Sequence, residues 1–158
     1  MFRTNRVLGD GGGIYLRGEQ GTSYADGALV QGNAVTDARR GGFTIGLYTD
    51  DATRYVTARD NVVHSYLASL GGCDEPGRPV RHLRYAGNFW DDAVPDGIAR
   101  RPYPGAWPTA ADGCGDPKDL TFTGDTRLDP AAPARACAAL PACADIVDRA
   151  GPRPRRRP

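Results

Sequence analysis

Five short segments of this chain repeat one alternation of apolar and polar positions around a fixed polar residue. They are FRTNRV (2–7), ALVQGNAV (28–35), VTARDNVV (56–63), LRYAGNFW (83–90) and LTFTGDTR (120–127). Their anchors are Asn5, Asn33, Asn61, Asn88 and Asp125, spaced by 28, 28, 27 and 37 residues. Five positions before the anchor stand Ala28, Val56, Leu83 and Leu120, and three before it Phe2, Val30, Ala58, Tyr85 and Phe122. Two positions after it stand Val7, Val35, Val63 and Trp90; the last copy has Arg127 there and has decayed. Alternation with period two on both sides of a fixed corner predicts two short strands joined at a bend.

A further strand type lies between the anchors, in GIYL (13–16) and GLYT (46–49). One repeat therefore holds about three short strands, and no stretch of it has useful helical periodicity. A unit this small cannot bury its own apolar face, so it must stack on copies of itself. The fold expected is all-β: a parallel β-helix of about 4–5 coils, each about 4.8 Å above the last, with the right-handed sense of parallel crossovers. The anchors then have a physical role. Asn tolerates the left-handed backbone of a tight corner, and stacked amides can hydrogen-bond up and down the file. Gly32, Gly87 and Gly124 suit the same bend.

GIYL, GLYTDD, VTARDNVVHS and LRYAGNFWDD give the chain its resemblance to a known group. It resembles the right-handed parallel β-helix repeat proteins of the pectate-lyase-like superfamily over about residues 2–92, and more weakly beyond. The resemblance implies the fold and a carbohydrate-active role. It does not choose a reaction, because lyases, glycosidases, epimerases and non-enzymatic adhesins share these motifs.

The organisation expected is β-helix coils over 1–128, with loop excursions at 64–80 and 91–119, a helical C-terminal cap at 129–150 and a disordered basic tail at 151–158. In the Pro/Gly-rich excursion, Tyr103 and Trp107 are expected to tuck against the coils. Asp129 followed by Pro130 reads as the start of one helix, and Pro141 as the start of another. These helices are expected to close the end of the apolar stack. The chain starts inside a repeat without an apolar leader, so the expectation is the C-terminal part of a longer protein, or else a misassigned start.

Charge narrows the partners. The formal net charge is +1, and four arginines sit in the terminal RPRRRP, so the remainder is net acidic. That disfavours a nucleic-acid partner, and no apolar run reaches the ~20 residues of a membrane span. A monomer is expected. The four cysteines, at 73, 114, 137 and 143, lack the CxxC pairs of a zinc site. Two disulfides, Cys73–Cys114 and Cys137–Cys143, are the least awkward pairing; four reduced thiols fit equally well.

The outward positions of a stacked sheet offer a shallow groove for an extended polymer. Tyr15 and Tyr48 are expected to face outward there as a stacking platform for sugars, with Arg17, Glu19 and His64 as further binding residues. Asp50 and Asp51 follow the second of these strands and are the candidate catalytic carboxylates. Glycoside hydrolysis needs two carboxyl groups facing one bond. Neighbours on a strand point apart, so a partner acid from an adjacent coil (Glu19, Asp10 or Asp37) fits better than the pair itself. The resemblance also places Asp50 where glycosidases of this fold carry a catalytic acid. TDDATR also reads as a polar turn, and the residues themselves favour that reading. No dense acidic cluster accompanies Arg17, Arg54 and Arg59, which weighs against a calcium-dependent lyase. No metal or other cofactor is expected. The reading is a secreted or cell-surface glycoside hydrolase acting on a polysaccharide. The alternatives are a non-catalytic glycan-binding or structural β-helix and, further off, a polysaccharide lyase.

Overall fold

The computed structural model describes residues 10–36, 43–66, 68–71, 80–91 and 118–151. The anchor Asn5, Asp37, the Cys73–Cys114 pair, Tyr103, Trp107 and the basic tail lie outside the described residues. The described chain is mostly parallel β-structure with two short helices near its C-terminal end. The strands are β1 (Asp10–Glu19), β2 (Ala28–Gln31), β3 (Ala34–Thr36), β4 (Phe43–Arg59), β5 (Val62–His64), β6 (Ala68–Gly71), β7 (Arg81–Ala86), β8 (Phe89–Trp90), β9 (Lys118–Thr123) and β10 (Thr126–Arg127). They form a six-stranded sheet ordered β1-β4-β7-β9, with β2 and β6 also paired to β4, and a four-stranded sheet ordered β10-β8-β5-β3.

Every pairing is parallel, and its register is the one the repeat predicts. Ala28 pairs with Val56, Val56 with Leu83, and Leu83 with Leu120. Val30, Ala58, Tyr85 and Phe122 form the next file. Val35, Val63, Trp90 and Arg127 line up across the second sheet. The inner positions make one core of Val30, Leu47, Val56, Ala58, Leu70, Val80, Leu83, Tyr85 and Trp90. Toward β9 this core is aromatic: Tyr85 stacks on Phe122 with centroids 4.8 Å apart, and Trp90 meets both rings edge-on.

The four described anchors stand in a single hydrogen-bonded file. Asn33 donates to Asn61 Oδ1 from its backbone N–H (3.1 Å) and its side-chain amide (3.0 Å). Asn61 does the same to Asn88 (3.1 and 2.9 Å), and Asn88 to Asp125 (2.7 and 2.8 Å). The left-handed corner residue is the one before each anchor: Gly32, Asp60, Gly87 and Gly124 have φ of 67°, 53°, 63° and 66°. Asn at the anchor is therefore selected for its amide, and the strained backbone falls on the preceding residue, where glycine carries little cost.

The start of the first helix differs from the sequence reading. Asp129 closes a turn, accepting from the N–H of Ala131 (2.9 Å) and Ala132 (3.1 Å), so α1 (Pro133–Ala138) starts at Pro133 instead of Pro130. The second helix, α2 (Pro141–Arg149), starts at Pro141 as expected. The helices pack through Cys137, Cys143 and Ile146 on Val62, Phe89 and Leu128. Val62 and Phe89 alternate with the inward Val63 and Trp90, so the helices cover the outer side of the second sheet across successive repeats. A disulfide joins Cys137 to Cys143.

Asn61 is buried, and its amide also donates to Val30 O (2.9 Å). Asn61→Ala orphans buried groups on both sides, and urea titration should show a loss of about 3 kcal/mol; Asn33→Ala, at the half-buried end of the file, should lose about 1 kcal/mol. Asp125 ends the file with an acceptor alone. Its Oδ2 is buried without a partner, and burial raises its pKa above the ordinary carboxylate value. A pKa raised by folding means that the stability this group contributes falls as pH rises through the raised value. Asp125→Asn restores a donor. By equivalence with Asn61 to Val30 O and Asn88 to Ala58 O, that donor meets Tyr85 O. The variant should be more stable than the parent by about 1 kcal/mol at pH 7–8, with the gain shrinking toward acid pH in melts run at several pH values.

Candidate functional site

The site builds on β1 and the first half of β4, where Tyr15 pairs with Tyr48 and Arg17 with Asp50 in register. At the end of this run the backbone turns: Ala52 has φ 58°, and the pairing shifts between Arg17 and Glu19. The bend is secured from inside. Thr53 is buried, and its hydroxyl reaches the carbonyls of Leu16 (3.0 Å) and Asp50. This turn lets the consecutive carboxylates Asp50 and Asp51 reach two outward side chains of β1, Tyr15 and Arg17 respectively.

Tyr15 is 47 % exposed, and its hydroxyl donates to Asp50 Oδ2 at 2.5 Å. Arg17 Nη2 donates to Asp51 Oδ2 at 2.9 Å, from a side chain that is half exposed to one that is 7 % exposed. Asp51 holds the Arg17 guanidinium's pKa above its usual value by hydrogen bond and charge. The other oxygen of Asp51, Oδ1, is buried and has no hydrogen-bond partner. Just past the bend, Arg54 Nη1 pairs with Glu19 at 2.6 Å.

The structure thus brings Tyr15, Arg17, Asp50 and Asp51 together, with Glu19 one bend away. The expected pair of exposed rings is corrected at Tyr48: it is 4 % exposed and meets Tyr15 edge-on at 5.0 Å. A side chain covered on its outer face cannot stack on a sugar, so Tyr15 alone presents a ring there. His64 is carried by the second sheet and lines a separate cavity with Thr36 and Ser65. Asp37 and the side chain of Asp10 lie outside the described residues. Among the described residues, no group of three or more His, Cys, Asp or Glu is placed to hold a metal ion. No helix among them is long and apolar enough to cross a membrane.

Sequence reasoning missed an outward strip at the next bend. Tyr55, His82 and Asp119 sit six positions before their anchors, and each has positive φ (58°, 57° and 55°). Tyr55 stacks on His82 with centroids 4.7 Å apart, and His82 Nδ1 lies 3.5 Å from Asp119. Tyr24 reaches Tyr55 from the turn between β1 and β2, and Arg84 covers its ring at 3.5 Å. That turn is tied by Asp26, whose carboxylate accepts from Thr22 and Ser23 and is held well below the usual carboxylate pKa by those bonds. Extending the repeat alignment one column upstream of its apolar position would have revealed the Tyr55–His82–Asp119 file.

Arg17→Met tests the ion pair, because it leaves the buried Asp51 carboxylate without its counter-charge. The variant is expected to unfold at a lower denaturant concentration than the parent, with the loss moderated by the solvent around Arg17. Adding Asp51→Asn should recover most of it.

No protein-family model, curated protein or solved structure matches this chain, so the assignment of its site rests on the geometry of its own residues.

Proposed function

We propose that the repeats are successive turns of a right-handed parallel β-helix similar to the pectate-lyase-like superfamily. We propose further that the protein is a secreted or cell-surface module that holds an extended polysaccharide across Tyr15, Arg17 and Asp50. The observation that carries this reading is the Tyr15–Asp50 contact beside Arg17. An exposed aromatic ring, its hydroxyl fixed by a carboxylate, stands next to a half-exposed guanidinium on an outward sheet position. A sugar ring presents an apolar face to stack and hydroxyls to hydrogen-bond, and this set offers both.

Binding is favoured over hydrolysis by how the acids are engaged. Asp51 and Glu19 are each held by an arginine. A guanidinium partner favours the ionised carboxylate, which disfavours the proton-donating role that glycoside hydrolysis requires of one of its acids. Hydrolysis is the second reading, favoured by one observation: Asp50 faces a phenol instead of an arginine. In that reading Asp50 is one of the two carboxyl groups required.

Affinity electrophoresis through gels cast with neutral and charged polysaccharides tests the binding face. The parent should be retarded by at least one polymer, and Tyr15→Ala should weaken that retardation about tenfold, the scale of one lost aromatic contact. Reducing ends measured on the same polymers separate the two readings: release abolished by Asp50→Asn establishes hydrolysis, whereas retardation without release establishes binding. Retardation unchanged in Tyr15→Ala would sink the assignment of this face.

A further inference from the structure

The cavity beside His64 belongs to neither reading, and its chemistry is of another kind. It occupies about 460 Å³ between the second sheet and the helices, within the range of small-molecule sites. One wall is polar, formed by Thr36, His64 and Ser65; the other is formed by Ala134, Ala138, Ala144 and Val147, with Asp148 also lining the cavity. Ser65 Oγ lies 2.9 Å from His64 Nδ1, a hydroxyl within hydrogen-bond reach of an imidazole nitrogen. Ser65 itself has φ 65°, a conformation that strains a residue with a Cβ. It is held there by its backbone N–H, which donates at 2.8 Å to the fully buried carboxylate of Asp91. Thr36 pairs with His64 across the ladder and adds a second hydroxyl to the same wall.

We propose that Ser65 and His64 form a nucleophile–base pair that hydrolyses short-chain carboxylic esters bound in this cavity. The small apolar wall accepts the acyl chain, which places its carbonyl carbon against the hydroxyl. Ser65 Oγ attacks that carbon while His64 Nδ1 takes the hydroxyl proton. The bond from carbon to the alcohol oxygen breaks, and the alcohol leaves with the proton from His64. Water then attacks the acyl-serine, again giving a proton to His64; the acid departs and the hydroxyl of Ser65 is restored. The hydroxyl of Thr36 is the donor available to the carbonyl oxygen as its negative charge develops. The fixed backbone of Ser65 serves orientation, since a nucleophile held in place does not have to be ordered during the reaction.

The test uses the full chain with p-nitrophenyl acetate and butyrate as substrates and a fluorophosphonate as covalent probe. The expected result is ester turnover above the buffer rate and a mass addition on the peptide that contains Ser65. Ser65→Gly removes the nucleophile while relaxing the positive φ, so the protein should stay folded by circular dichroism yet lose turnover and labelling at least a hundredfold. His64→Gln should lose both to a similar extent. Turnover that survives in folded Ser65→Gly, or a parent with neither turnover nor a labelled Ser65, would overturn the proposal.

Discussion

The directional amide file through Asn33, Asn61, Asn88 and Asp125 is the constraint on which the rest of the structure depends. Asn61, Asn88 and Asp125 each receive two hydrogen bonds on one oxygen from the anchor before, one from backbone and one from side chain. That geometry admits a single register. A slip of one residue would take the amide out of the file and turn every apolar side chain of the strand outward. The strand beyond the corner is tied to the same point, since Val62, Phe89 and Thr126 donate to the carbonyls of Asn33, Asn61 and Asn88. Spacing between anchors is free so long as the anchors meet. Asn88 and Asp125 are 37 residues apart, against 27 for Asn61 and Asn88, and the pairing of β7 with β9 is still in register.

This separation of inner constraint from outer freedom explains what could be read from the residues. The inner files were legible because burial imposes one chemical requirement on every repeat, so Ala28, Val56, Leu83 and Leu120 resemble each other. The outer positions carry no such requirement. Leu29, Thr57, Arg84 and Thr121 occupy one outward file and mix apolar, hydroxyl and charged side chains. The exact corner conformation was misplaced by one residue because Asn and Gly both suit positive φ; hydrogen-bond accounting, which demands the anchor's amide inside the file, resolves which takes it. The start of α1 was displaced for a similar reason, as Asp129 can cap either a helix or a turn.

The candidate site was legible in part. Tyr15, Arg17, Asp50 and Asp51 were found because they flank a strand whose inward alternation is clear. The burial of Tyr48 was not, since alternation assigns a side chain to a face without saying whether that face is covered. Nor could the sequence show that the bend at Ala52 allows consecutive carboxylates to reach β1 side chains two residues apart. The Ser65–His64 contact escaped for a plainer reason: adjacent residues are an unremarkable pair until a positive φ turns one side chain back on the other.

The same lattice bears on which chemistry each face can support. A parallel ladder repeats its neighbours at a fixed rise, so an acid placed beside a cation in the next strand is paired as a consequence of register. Glu19 with Arg54 follows this rule, whereas Arg17 stands in register with Asp50 and pairs with Asp51 through the bend at Ala52; both ion pairs tie β1 to β4. Such carboxylates hold strands together. Reactive geometry instead requires a side chain taken out of the ladder. Ser65, where β5 ends, is one of the residues that leave the ladder at positive φ, and its N–H turns to Asp91. Ligand recognition is therefore proposed on the first sheet's outer face, and ester chemistry at the end of the second sheet.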